Sequence, residues 1–361
     1  MFEWVYWELM AKQQKTILWW GRFDPDYSRN GLLRRLLVEL GYRLIDFRPK
    51  ISFLGGIEAR FAGLSGIDAV WVPAFRQRDF PAARRFAERH RLPLIFDPLI
   101  SAWDKEVFER RKFPPSSPAA RRLQKREREM FSRADLVLAD TLAHAEFYIE
   151  ELQACPGCTR VVQVGADETL FRFQESQIPG TMPEVLFYGS FLNLQGPEVI
   201  VEAARTMPEV RWTLLGDGPL RQQCLERSGG MAHIRFEDWL PYEDLPERIG
   251  RAAILLGIFG SSRKAGRVIA NKVFQALACG RPLVTRDSEA FPTALRTDPT
   301  CGISFVPAGD PIALAAAVRE LLDKPELLPV RGQQARASYE AWFAEAGIRK
   351  ALVEGLQLIG M

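Results

Sequence analysis

Two doubly wound α/β domains in tandem are the architecture this chain predicts. Short apolar runs alternate with helical patterns along its length, and most of the runs stop at glycine or a polar turn. One stretch without periodicity interrupts that rhythm near the middle. The length of 361 residues also exceeds one comfortable hydrophobic core.

The first run is Thr16-Ile17-Leu18-Trp19-Trp20, closed by Gly21. A polar loop over residues 22–30, with Arg29 and Asn30 at its end, leads to Leu32, Leu33, Leu36, Leu37 and Leu40. That is a helical stripe, stopped by Gly41. Residues 42–47, 68–72 and 94–96 predict three more strands, with a basic helix over 81–89 before the last. Residues 135–139 predict a fifth strand, Thr141 the cap of the helix after it, and residues 161–164 a sixth. Residues 173–183 hold two prolines, a glycine and polar side chains, which reads as a linker. The alternation then restarts with strands at 185–188, 212–215, 253–256 and 282–285. Helices are expected over 272–278, 312–322 and 333–358, the last bent near Gly347. The expected domains are 1–175 and 176–340, with a helix over 341–361 crossing back to the first. Ligands of open parallel sheets sit beyond the carboxyl ends of the strands, so the main cleft is expected between the two domains.

Composition narrows the function. Apolar residues at 47% and charged residues at 26% fit an ordinary globular protein, and a net charge of +3 does not favour nucleic acid. Five cysteines, an odd number, imply no disulfide framework and fit a reducing compartment. Cys155-Pro156-Gly157-Cys158 lacks the second ligand pair of a zinc site, so a Pro-Gly turn competes with a redox role. Residues 1–10 lack the basic lead and apolar core of a signal peptide, and read as a frayed leader or a weak interfacial helix. No run reaches the roughly 18 apolar residues of a membrane span. The expected location is cytoplasmic. The basic segments at 84–91 and 110–126 read either as solvated helices or as a weak peripheral contact with the inner face of a membrane.

Four strand ends in the second half carry glycine: Gly189, Gly216 with Gly218, Gly257 with Gly260, and Gly280. Glycine lets backbone N–H groups approach a ligand, and a helix start beyond it favours anions, so a phosphate-bearing ligand is expected. Asn271 reads as the cap of the next helix. Lys272 lies in its first turn, where a cation opposes the helix dipole unless an anion is near. Upstream, Ser261-Ser262-Arg263-Lys264-Ala265-Gly266-Arg267 reads as a loop that grips phosphate or as a solvated basic loop.

Residues Asn271-Lys272-Val273-Phe274-Gln275-Ala276-Leu277-Ala278-Cys279-Gly280-Arg281-Pro282-Leu283-Val284 resemble the donor-site helix of glycosyltransferase family 4, which reads roughly Glu-Ala-Met-Ala-Cys-Gly-x-Pro-Val-Val. Leu215-Gly216-Asp217-Gly218-Pro219 resembles that family's Gly-Asp-Gly-Pro turn. Val164-Gly165-Ala166-Asp167 through Phe171 resembles its Asn-Gly-Val-Asp segment. The resemblance implies a GT-B fold of two Rossmann-like domains and a nucleotide-sugar donor held by the second. It also implies transfer with retention and no metal. The sequence departs from the pattern at charged positions. The family's two glutamates seven residues apart are Arg267 and Gln275 here. Its Gly-Arg-x-x-x-x-Lys-Gly is Gly189-Ser190-Phe191-Leu192-Asn193-Leu194-Gln195-Gly196, without either cation. The expected compensation is a diphosphate held by the 263–272 loop, with Arg267 or Lys272 in contact.

The first half is expected to supply the acceptor side, a glycan, lipid-linked sugar or small molecule. Gly21, Arg29 and Asn30 form the candidate loop. Asp97, just past a strand, and His144, in the first turn after Thr141, are the candidate catalytic side chains. A helix start keeps a histidine neutral and fit to bond a sugar. A nucleotide-sugar epimerase and a non-catalytic GT-B binding protein are the alternatives. Isomerisation of the free nucleotide-sugar would mark the first, and binding without turnover the second.

Overall fold

The computed structural model describes residues 14–175 and 182–361. The leader over 1–10 and the centre of the expected linker lie outside the described residues. The chain forms two compact units. The first comprises residues up to 103, 113–162 and 349–361, and the second comprises 104–112 and 163–348.

In the first unit the order is β1 (Thr16–Trp20), α1 (Ser28–Glu39), β2 (Arg43–Phe47), α2 (Gly55–Phe61), β3 (Ala69–Val72), α3 (Phe80–His90) and β4 (Leu94–Phe96). Then follow α4 (Pro118–Arg133), β5 (Leu136–Ala139), α5 (Leu142–Glu150) and β6 (Thr159–Val161). All pairings are parallel, in the order β2-β1-β3-β4-β5-β6. Every residue of β1, β3, β4 and β5 is buried, because helices cover both faces of a parallel sheet. That is why these strands read as continuous apolar runs. Arg29 and Asn30, expected in a loop, lie in the first turn of α1, since the helix begins at Ser28. The last strand starts two residues earlier than expected: Thr159–Val161 pair with Val137–Ala139, and the ladder closes on Val162 N–H to the Ala139 carbonyl (2.8 Å).

The second unit runs β7 (Glu184–Tyr188), α6 (Pro197–Ala204), β8 (Arg211–Leu215), α7 (Arg221–Ser228), β9 (Ile234–Glu237), α8 (Leu245–Gly250) and β10 (Ile254–Leu256). It continues with α9 (Asn271–Ala278), β11 (Leu283–Arg286), α10 (Thr293–Arg296), β12 (Ile303–Val306), α11 (Pro311–Leu322) and α12 (Leu328–Trp342). Its parallel sheet has the order β12-β11-β10-β7-β8-β9. Around Trp212, Phe187, Val201 and Leu314 the core is sealed by α6, α7 and α11. The two edge strands, β9 and β12, went unanticipated, because Arg235, Glu237 and Ser304 interrupt their apolar character. The final bend falls between α12 and α13 (Glu345–Leu358), at Phe343 and Ala344, and Gly347 is helical. From Arg349 onward, α13 groups with the first unit.

Candidate functional site

The second sheet reverses its winding between β7 and β10, and such a reversal leaves a crevice at the carboxyl ends of the strands. β7 ends at Gly189, whose φ is +145°. A Cβ there would lie 2.6 Å from Gln195 Oε1 and 2.8 Å from Lys272 Nζ, so glycine is what admits both side chains.

Lys272 arrives from the first turn of α9. Ala270, in extended conformation, is the cap and Asn271 is already helical, so the cap lies one residue before the expected one and makes no side-chain bond. The buried Lys272 ammonium donates to Gln195 Oε1 and lies 3.6 Å from the centroid of the Phe187 ring. Among the described residues, no carboxylate pairs with it. Burial pushes its pKa well below the ordinary lysine value. An amide oxygen and a ring face compensate a buried charge only partly, and the adjacent helix start adds positive potential.

The 263–267 loop is built differently. Arg267 Nη1 lies 3.0 Å from Asp104 Oδ2, and Lys264 Nζ donates to Glu109 Oε2. Both carboxylates come from Asp104–Glu109, a π-helical turn of the second unit. Arg263 stands 5.9 Å from the Phe108 ring centroid. The structure therefore brings acids to the cations expected to grip phosphate.

The remaining glycines mostly serve loop packing. A Cβ on Gly218 would sit 2.6 Å from the Phe191 amide nitrogen, and one on Gly216 would strike the Gly189 carbonyl. Phe191 N–H donates to the Asp217 carbonyl (2.9 Å), and the Ser190 carbonyl accepts from Leu192 N–H (2.9 Å). Gly260 lies against the carbonyls of Asn193 and Leu194. The loops after β7, β8 and β10 thus pack backbone to backbone. Gln275 is buried: its Oε1 accepts from the Tyr188 hydroxyl (2.9 Å) and its Nε2 donates to the Tyr242 hydroxyl (3.2 Å).

In the first unit, Arg29 Nε donates to both Asp97 oxygens (2.9 and 3.0 Å), and Nη1 donates to the Val162 carbonyl (2.7 Å). Neither side chain reaches solvent. Burial lowers the Arg29 pKa and the Asp97 carboxylate raises it, with a net rise, so the guanidinium stays charged. Asp97 therefore holds Arg29 and presents no open carboxylate. Asn30 Nδ2 donates to the Asp24 carbonyl (2.7 Å), while its buried Oδ1 has no hydrogen-bond partner among the described residues. Gly21 faces Arg76 and Asp79, either of which a Cβ would meet at 3.1 Å.

His144 is buried in the first turn of α5, where its N–H donates to Thr141 Oγ1 (3.1 Å). Its Nδ1 shares a hydrogen bond with Asp140 Oδ1, and its ring stacks on Tyr148 (5.4 Å, 8°). Asp140 escaped the sequence reading, although its spacing of four from His144 was a usable signal. Asp104 and Glu109 had none, since their partners lie more than 150 positions away. Cys155 and Cys158 are free thiols on the turn Pro156–Cys158.

Known proteins resemble this chain in sequence and in fold. Residues 182–324 match the family model described as glycosyl transferases group 1. A D-inositol 3-phosphate glycosyltransferase of Thermobispora bispora is 28% identical over 261 residues, which cover 64% of this chain and 59% of the relative. One of Thermomonospora curvata is 29% identical over 228 residues, covering 55% and 51%. The chain thus spans between half and three-fifths of the length of these curated relatives. Among solved structures, Anabaena Alr3699/HepE in complex with UDP superposes with a TM-score of 0.69 at 15% identity, covering 95% of this chain and all of that one. Sucrose-phosphate synthase from Thermosynechococcus elongatus gives 0.72 at 16%, covering 96% and 98%. These likenesses establish the fold, GT-B.

Proposed function

We propose that this chain, whose residues 182–324 match the glycosyl transferases group 1 and whose fold is GT-B, moves a sugar from a nucleoside diphosphate donor to a carbohydrate or lipid-linked acceptor, with Lys272 receiving the leaving diphosphate. The observation that carries this reading is the position of one ammonium. The family pattern places a lysine where this chain has Gln195, and the Lys272 ammonium is bonded to the Gln195 side chain. We read Lys272 as supplying from the helix start the cation that the family pattern supplies from the preceding loop.

In the reaction the anomeric C–O bond to the diphosphate breaks and a bond to an acceptor oxygen forms. Negative charge develops on the leaving phosphate, whose oxygen takes the proton that the acceptor hydroxyl loses. A preorganised ammonium and the N-terminal amides of α9 meet that charge without reorganisation. Burial lowers the Lys272 pKa, and a bound diphosphate opposes that shift. Affinity is therefore expected to fall, and binding to take up protons, as pH rises through the range in which Lys272 loses its proton. On the acceptor side we assign His144 the contact with the sugar, and Asp140 the setting of its tautomer through Nδ1. Asp97 holds Arg29 in place. A nucleotide-sugar donor places the reaction in the cytoplasm.

UDP is the first nucleotide to test, because HepE of similar fold was solved with UDP and UDP-glucose. At 100 times its dissociation constant a ligand adds about 2.7 kcal/mol of stability, visible as a rise in melting temperature. Calorimetry in two buffers of different ionisation enthalpy reads the proton uptake. Failure of UDP, GDP and ADP alike to shift the melting temperature would overturn the reading. UDP binding without hydrolysis or transfer from any nucleotide-sugar would indicate a binding protein. His144→Ala is expected to lower turnover by about 10²-fold or more while changing donor affinity little.

A further inference from the structure

Helix α2 is inside out. Its small residues, Gly55 and Ala59, face the protein, while Phe53 in the turn before it, Ile57 and Phe61 project outward at intervals of four. Their exposures are 70%, 55% and 85%. Gly55 is pressed against Pro49 and Trp20, where a Cβ would lie at 3.2 Å, so the inward face cannot take a larger side chain without displacing them. Ile51, also exposed, extends the stripe. Monomeric proteins scatter exposed apolar residues singly, and a row of large ones on one helix face marks a docking surface.

Cations outnumber acids around this row, where Glu88 is already paired with Arg84 and Arg133. Lys50 and Arg60 flank it in sequence, and Arg85 and Arg89 are exposed on α3, the helix against which α2 packs. Among the described residues, none of these four cations has an acidic partner. The one acid within α2, Glu58, turns its carboxylate to the backbone N–H groups of Lys50 (2.8 Å) and Ile51 (3.1 Å). Its charge is thereby spent on holding the loop that carries the stripe.

We propose that this face, with Phe53, Ile57 and Phe61 as inserting side chains and Lys50, Arg60, Arg85 and Arg89 as the surrounding cations, docks the protein on an anionic lipid bilayer. Large apolar side chains ringed by unpaired basic ones fit the acyl-headgroup boundary of such a membrane. The surface shares no residue with the proposed donor site, so the proposal stands independently of the proposed reaction.

Flotation of the full chain with phosphatidylcholine vesicles, with and without phosphatidylglycerol, is the test. The expected result is recovery with the anionic vesicles, on the order of tenfold weaker with neutral ones, and falling with added salt. The triple variant Phe53→Ser, Ile57→Ser, Phe61→Ser is expected to lose at least about tenfold in vesicle affinity. Because all three side chains are exposed, it keeps its melting temperature, which controls for folding. A parent protein that does not float, or a triple variant that floats like the parent, overturns the proposal. So does a parent dimer in size-exclusion chromatography that the same substitutions dissociate, since a second copy would then be the occupant. Removal of residues 1–13 is expected to leave flotation unchanged; its loss would move membrane binding to that segment.

Discussion

Lys272 and the pair Lys264 and Arg267 lie within nine residues of one another, and all three arise from a run that reads as a phosphate-gripping loop. Their surroundings are opposite. Lys264 and Arg267 are matched by Glu109 and Asp104, whereas Lys272 meets an amide oxygen and a ring. A cation already satisfied by a carboxylate has little to gain from a phosphate, which would have to displace that partner. A buried cation without one carries a desolvation cost that an anion relieves. On the proposed reading, the contrast separates cations kept for architecture from one kept for a ligand, though all three have the same sequence signature.

Substitution can break this comparison. The largest expected effect is in Lys272→Met: UDP affinity falls by roughly ten- to a hundred-fold, from the loss of a charge-assisted bond of about 1.5–3 kcal/mol. The same variant melts at a higher temperature than the parent near neutral pH, because a desolvated charge is removed. Titration calorimetry and a thermal melt together check the pair of outcomes, and reduced affinity together with reduced stability would reassign Lys272 to the fold.

Arg267→Ala is expected to behave in the opposite way. It removes the ion-pair partner Arg267 from Asp104, costing about 2–3 kcal/mol after allowance for partial exposure, and leaves UDP affinity within roughly threefold of the parent, well under one charge-assisted bond. A double-mutant cycle with Asp104→Asn should return part of that loss. Should Arg267→Ala weaken UDP tenfold at unchanged stability, the cation roles are reversed.

The pH dependence is smaller and has a definite sign. Burial lowers the folded-state pKa of Lys272 below the unfolded value near 10.4. Between those two values the unfolded chain binds more protons, so this group's destabilising effect diminishes as pH rises. The gap in melting temperature between Lys272→Met and the parent should therefore narrow from pH 7 toward pH 10. A gap that widens would contradict the burial argument.

Much of the fold was legible in the residues. Buried central strands such as Thr16–Trp20 and Leu136–Ala139 announce themselves as unbroken apolar runs, and Thr141 as the cap of α5 followed from residue type alone. The edges of the second sheet were not legible. Ile234–Glu237 and Ile303–Val306 pair on one side only and tolerate charge, which erases the run. Around the candidate site, residue types were readable but pairings were not. Glu109 and Glu127 dilute a basic stretch when read in order. Folded, Glu109 neutralises Lys264, and Glu127 accepts the backbone N–H groups of Ala102 and Trp103 and the Ser101 hydroxyl. Glycine was legible as a close approach of backbone, yet what approaches Gly216 and Gly218 is another loop of the same chain.

The grouping of residues 349–361 with the first unit bears on how the polypeptide is made. Arg349 pairs with Glu39, Lys15 Nζ donates to the Gly360 carbonyl, and Gly355 packs near Leu136 and Arg160. The ribosome delivers these residues only after the whole of 163–348. Domains ordinarily fold as they emerge, the N-terminal one first. Here the nascent first unit stays incomplete while the second is synthesised, with the sites around Glu39, Leu136 and Arg160 unfilled until residues 349–361 emerge.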